Sequence, residues 1–151
     1  MTGRKLRTAR WWASALLLAL VGILLAVREY APRPGGVGEA GGDAAVAEAF
    51  RDRHSGFMVE VEGTVARLLR DDLEGSPHQR FILELAEGHS LLVAHNLDLA
   101  ERVPVSVGDR AVVRGQYEWN ERGGLLHWTH HDPSGRRLDT GWIRHREVVY
   151  R

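Results

Sequence analysis

GFMVEVEGTVARLL, residues 56–69, sets Val59, Val61, Gly63 and Val65 against Glu60, Glu62 and Thr64. Alternation with period two is the pattern of a strand with one buried face. Reading outward from this stretch, RDDLEGSPHQ (70–79) is polar with Gly and Pro and reads as a loop. RFILEL (80–85) is a second strand, AEGH (86–89) a turn and SLLVAHN (90–96) a third strand. LDLAERVP (97–104) suits one or two helical turns. VGDRAVVRGQYEWN (107–120) is a fourth strand entered through a Gly-Asp turn. ERGG (121–124) closes a hairpin onto a fifth strand, LLHWTHH (125–131). DPSGRRLDTG (132–141) is a loop and WIRHREVVY (142–150) a short final strand.

Three strands, a short helical link and two strands follow the order of the OB-fold, a five-stranded Greek-key barrel. The expected class is therefore all-β, a small OB-like five-stranded barrel over residues 46–151. An SH3-like barrel or another small all-β fold is the alternative. The stretches DDLEGSPHQRFILEL, LLVAHNLDLAERVP, GQYEWNERGGLLHWTHHDP and GWI resemble a family of small exported bacterial proteins of unknown function, across roughly residues 57–151. That resemblance implies an OB-like barrel outside the cytoplasm. It supplies no activity.

The chain begins differently. Arg4, Lys5, Arg7 and Arg10 precede WWASALLLALVGILLAV (11–27), which carries no charge. As a helix this run spans roughly 25 Å, slightly short of the ~30 Å hydrocarbon core. Arg10 and Arg28 can extend it by snorkelling, and Trp11 and Trp12 suit the headgroup region. Residues 1–30 are thus expected to form a transmembrane anchor or a signal sequence. The following REYAPRP lacks the small-residue pattern of a cleavage site, which favours the anchor. The basic flank predicts a cytoplasmic N-terminus, with the barrel in the periplasm or at the cell exterior. Secretion to the periplasm after cleavage is the alternative. Residues 31–45, rich in Gly and Pro, read as a flexible tether. AVAEAFRDRHS adds one short helix, with Val46 and Phe50 on one side.

Composition narrows the function classes. The chain has no cysteine, so it has neither a disulfide framework nor a thiolate metal site. Residues 46–151 hold 14 Arg and no Lys against 17 acids, which speaks against a nucleic-acid partner. The membrane, through the N-terminal helix, and an envelope ligand or protein are the expected partners.

Two groups of polar residues are candidates. The first is a barrel rim where the ends of the first, third and fourth strands meet the start of the second. It brings together His78, Gln79, Arg80, His95, Asn96 and Asn120, with Trp128 nearby, as a ligand-binding set. The second is HWTHHDP (127–133), whose His127, His130, His131 and Asp132 are candidate ligands of a divalent metal ion. If ERGG closes a tight hairpin, Glu118 faces His127 and Tyr117 faces Trp128. Leu126, Trp128 and His130 then point inward, and His127, Thr129 and His131 outward. On a regular strand His127 and His131 lie about 13 Å apart, too far to share one ion. A compact site needs a bulge or a strand end at His131. Trp119, Trp128 and Trp142 read as core residues or as a stacking platform. A binding module is the expected function. A metal-dependent, nuclease-like hydrolase and a structural partner in an envelope complex are the alternatives. No cofactor is fixed by the sequence beyond that possible divalent ion.

Overall fold

The computed structural model describes residues 39–151. The anchor or signal sequence assigned to residues 1–30 and the first part of the tether lie outside them. Among the described residues, no helix is long and apolar enough to cross a membrane.

The elements are α1 (Glu39–Asp52), β1 (Phe57–Leu68), β2 (His78–Leu85), β3 (Ser90–Asn96), β4 (Arg110–Glu118), β5 (Leu125–His127), β6 (Trp142–His145) and β7 (Val148–Tyr150). Strand order β1-β2-β3-β5-β4, with β4 pairing back onto β1, closes a five-stranded barrel. The β3–β5 pairing is parallel, and the other barrel pairings are antiparallel. Val59, Val61 and Val65 point inward, as their alternation requires. They meet Phe81, Leu83, Leu91, Val93, Val113, Tyr117, Leu126 and Ile143, all fully buried. Burying each such side chain stabilises the fold by roughly 1.5–3 kcal/mol.

The fold is mostly rather than wholly β. Helix α1 begins inside the stretch read as a tether and is longer than the short helix anticipated from Ala45. Gly42, Val46 and Ala49 form its buried face. Gly42 is a packing residue here: a Cβ would lie 1.8 Å from the Glu60 carbonyl oxygen. The segment after β3 forms a turn and an extended stretch, not helical turns.

The largest departure concerns the fifth strand. It ends at His127, not at His131. Gln116 pairs with His127, Tyr117 with Leu126 and Glu118 with Leu125. The register is two residues from the expected one, because Trp119 and Asn120 join the loop. The Asn120 side-chain oxygen accepts from the Arg122 and Gly124 amides and closes that longer turn. A shift of two preserves the facing of Leu126 and His127. Trp128 then adopts a left-handed backbone, φ 52°, unusual for a bulky residue, and alternation stops. Thr129, expected outside, is fully buried; Trp128, expected inside, is 36% exposed.

The chain leaves the edge of β4 at Trp128 and returns at β6, which pairs with Val112–Arg114 of the same strand. Gly141 closes this excursion, donating its amide to the His130 carbonyl at 3.1 Å. A Cβ there would sit 1.9 Å from the Trp128 carbonyl oxygen. The single final strand is instead a hairpin, turning at Arg146 and Glu147, both with positive φ.

Candidate functional site

Strands β2, β3 and β5 bring five of the anticipated residues to one pocket. It is a 190 Å³ depression on the outer face of the barrel, lined by His78, Ala94, Asn96, Leu99, His127, Trp128 and His130. The topology explains the meeting. His78 pairs with Asn96 across β2 and β3, and the parallel β3–β5 pairing brings the end of β5 to the end of β3. Trp128 and His130 belong to the excursion after β5. The rim set and the HWTHHDP set, separate in sequence, thus share one site.

Two of its histidines are oriented by the backbone. His78 Nδ1 lies 2.7 Å from the Ser76 carbonyl oxygen, and His130 Nδ1 lies 2.7 Å from that of His131. A carbonyl only accepts, so each Nδ1 carries a proton. In the neutral ring Nε2 then bears a lone pair. The Asn96 side-chain oxygen takes the Asp98 amide at 2.8 Å, which leaves its NH2 group as a donor. Burial holds the His127 pKa below the usual histidine range, against the opposing pull of Glu118. Its Nε2 lies 3.6 Å from Glu118 Oε1 and has no hydrogen-bond partner among the described residues. Trp128 is walled in: the Arg137 guanidinium sits 4.5 Å over its ring, and the His130 ring centre is 5.3 Å away. The ring is thus packed against two side chains while staying 36% exposed at the pocket.

Beneath the pocket lies His95, which points into the barrel. Its Nε2 is 3.1 Å from the Glu101 carbonyl oxygen and must donate; its Nδ1, 2.8 Å from Thr129 Oγ1, therefore accepts from the hydroxyl. Burial lowers its pKa to about 4. His95 is thus a neutral strut joining β3 to the connector and to the excursion. Gln79 is likewise internal: Nε2 donates to the Val103 carbonyl and Oε1 accepts the Val103 amide, at 2.8 and 2.9 Å. Neither side chain faces the pocket. Arg80 faces outward but is occupied, with Nε donating to the Arg70 carbonyl and an ion pair to Asp72 at 3.6 Å.

Asn120 lies at the opposite rim. Phe57 faces Tyr117 and Thr64 faces Arg110 in the antiparallel β1–β4 pair. The end of β4 therefore meets the start of β1, not its end.

Of the four candidate metal ligands, His127 and His130 line the pocket, and His131 and Asp132 do not. Asp132 caps its own loop, accepting from Ser134, Arg136 and Arg137. These bonds, the Ser134 hydroxyl first, lower its pKa to about 2. His131 is exposed. Among the described residues, no three His, Asp or Glu side chains gather in a way that could hold a metal ion.

Sequence reasoning missed Thr129, Leu99 and Arg137. Arg137 carried no local signal, since it reaches Trp128 and Gln116 from within a loop. Thr129 was misplaced by assuming a continuous strand.

The fold and pocket define a small closed β-barrel with a polar, histidine-lined depression on its outer face. The chain belongs to the DUF3465 family, described as a protein of unknown function, whose model matches residues 36–151. No curated protein matches the chain.

Proposed function

We propose that this protein is an envelope-located, OB-like binding module, tethered at the membrane through residues 1–30. The ligand is held on the outer face of β2, β3 and β5. The observation that carries this reading is the pocket itself. Two imidazoles are oriented through Nδ1, leaving Nε2 as an acceptor, beside the Asn96 amide as a donor. Fixed polar groups converging in a depression are the mark of a ligand site. At 190 Å³ the pocket lies below the ~300 Å³ at which drug-sized sites begin. It therefore takes one protruding group of a larger molecule, such as a single sugar ring or one polar side chain of a peptide.

Binding is favoured over metal-dependent hydrolysis because Asp132, the one carboxylate of the HWTHHDP set, is engaged by its own loop. The test is ligand-observed NMR on the full chain in neutral detergent, with a panel of envelope mono- and disaccharides and dipeptides. A hit should disappear in a His78→Ala, His130→Ala double variant that keeps its melting transition. Hits that survive the double variant, or none from the panel, would sink this assignment of the pocket.

A further inference from the structure

A second groove, of 850 Å³, lies on the same outer face toward the opposite rim. Its floor is aliphatic, with Leu69, Ile82 and Leu92 half-buried. Arg67 of β1 and Arg122 of the β4–β5 loop line it, together with Glu121. We infer that this groove binds an amphiphilic phosphate, with an aliphatic body on the floor and the phosphate held by Arg67 and Arg122.

The placement of Arg67 is the first argument. In β1 the odd-numbered residues Val59, Val61 and Val65 point inward, and an unbroken strand would send Arg67 inward too. The register slips between Val65 and Arg67: Val65 faces Leu83, but Arg67 faces Ile82. This bulge turns Arg67 outward, beside Ile82 in the groove. Bulges recur next to functional sites because they re-aim a side chain.

The second argument is charge. Among the described residues the guanidinium groups of Arg67 and Arg122 form no hydrogen bond or ion pair, whereas Arg80, Arg102, Arg114 and Arg146 each pair with a carboxylate. Two free arginines against one Glu121 leave the groove positive. Two guanidinium forks on different elements suit a phosphate, which offers oxygens to both; a carboxylate offers a single edge. The third argument concerns the body of the ligand. The Trp119 ring lies beneath the Arg53 guanidinium and against Phe50. Trp119, held by these contacts, lines one side of the groove, and the floor of leucine and isoleucine suits an alkyl chain.

The test is calorimetric titration of the full chain in a neutral maltoside detergent with butyl phosphate, inorganic phosphate, butanol and pentanoate. Butyl phosphate should bind at least tenfold more tightly than each of the other three. An Arg67→Ala, Arg122→Ala double variant with an unchanged melting transition should weaken it at least tenfold, and Arg67→Lys should weaken it less. The inference is overturned if butyl phosphate gives no binding heat, or if the double variant binds as tightly as the parent. Equal binding of butanol or inorganic phosphate would remove the role of charge or floor, and stronger pentanoate binding the headgroup. The histidine pocket takes no part, so His78→Ala, His130→Ala should bind butyl phosphate normally, and failure here leaves the reading of that pocket standing.

Discussion

The two ends of the outer β2–β3 face are built in opposite ways. At the histidine end each polar side chain is fixed through one atom or packed against a neighbour. His95 holds Thr129 and Glu101, His130 holds the His131 carbonyl, and Arg137 covers Trp128 while bonding Gln116 at 2.8 Å. At the arginine end Trp119 is packed by Arg53 and Phe50 and Asn120 ties down the loop backbone, but the guanidinium groups of Arg67 and Arg122 have no partner among the described residues. The first arrangement fixes geometry, with binding left to the few atoms that stay free. The second leaves whole side chains available on a rigid sheet. Stability and binding should therefore separate along this one face, and substitutions can measure the separation.

The greatest loss should come from beneath the histidine pocket. His95→Ala removes a fully buried ring and leaves the Thr129 hydroxyl and the Glu101 carbonyl without it. The expected destabilisation is about 3 kcal/mol, read from urea unfolding of the full chain. A loss under about 1 kcal/mol would show that the excursion after β5 does not depend on this strut.

The same ring should give the fold a pH dependence. His95 titrates at about 4 in the folded chain and near 6.5 when unfolded. Its folded pKa is depressed, so above pH 6.5 both states are neutral and its contribution is complete. As pH falls from 6.5, the unfolded chain takes up the proton first and stability drops. The drop ends near pH 4 and amounts to about 3 kcal/mol at most. His95→Gln should flatten the stability curve in that window. An unchanged slope would assign the acid sensitivity elsewhere.

These strengths and weaknesses were unevenly legible in the sequence. The barrel was readable because β1 alternates, β2, β3 and β4 are short apolar runs bounded by turn residues, and the order of the strands matches a five-stranded barrel. The pocket was half readable: His78, Asn96, His127, Trp128 and His130 stood out by type. What joined them was the parallel β3–β5 pairing and a break at Trp128, and neither leaves a local pattern. A tryptophan in the left-handed region is held there by Gly141, Arg137 and His130, all distant or downstream. The bulge at Arg67 did leave a trace: an arginine at the next inward position after Val65 cannot be buried, so the strand had to slip. Gly42 shows the converse error. Glycine-rich composition suggested a tether, while the residue is there to let a helix approach β1.

A smaller effect is expected where the histidine end meets solvent. Arg137→Ala removes the guanidinium over Trp128 and its bond to Gln116. The cost should be about 1 kcal/mol, with a shift in Trp128 fluorescence. If the protein loses nothing and the emission does not move, Trp128 is not held by that contact, and the pocket is less rigid than its geometry requires.

The smallest effect is the most discriminating. Arg67 and Arg122 are exposed and their guanidinium groups touch no carboxylate, so alanine at either should change stability by less than about 0.5 kcal/mol. Chemical unfolding of each single variant checks this. A loss above 1 kcal/mol from Arg67→Ala would mean that its aliphatic stem, laid against Ile82, is structural. The bulge would then exist to cover the sheet rather than to present a charge. If both substitutions are neutral, the sheet keeps two positive charges at this rim that the fold itself does not use. The register break explains why Arg67 faces outward, and a ligand would then account for both charges standing free in one groove.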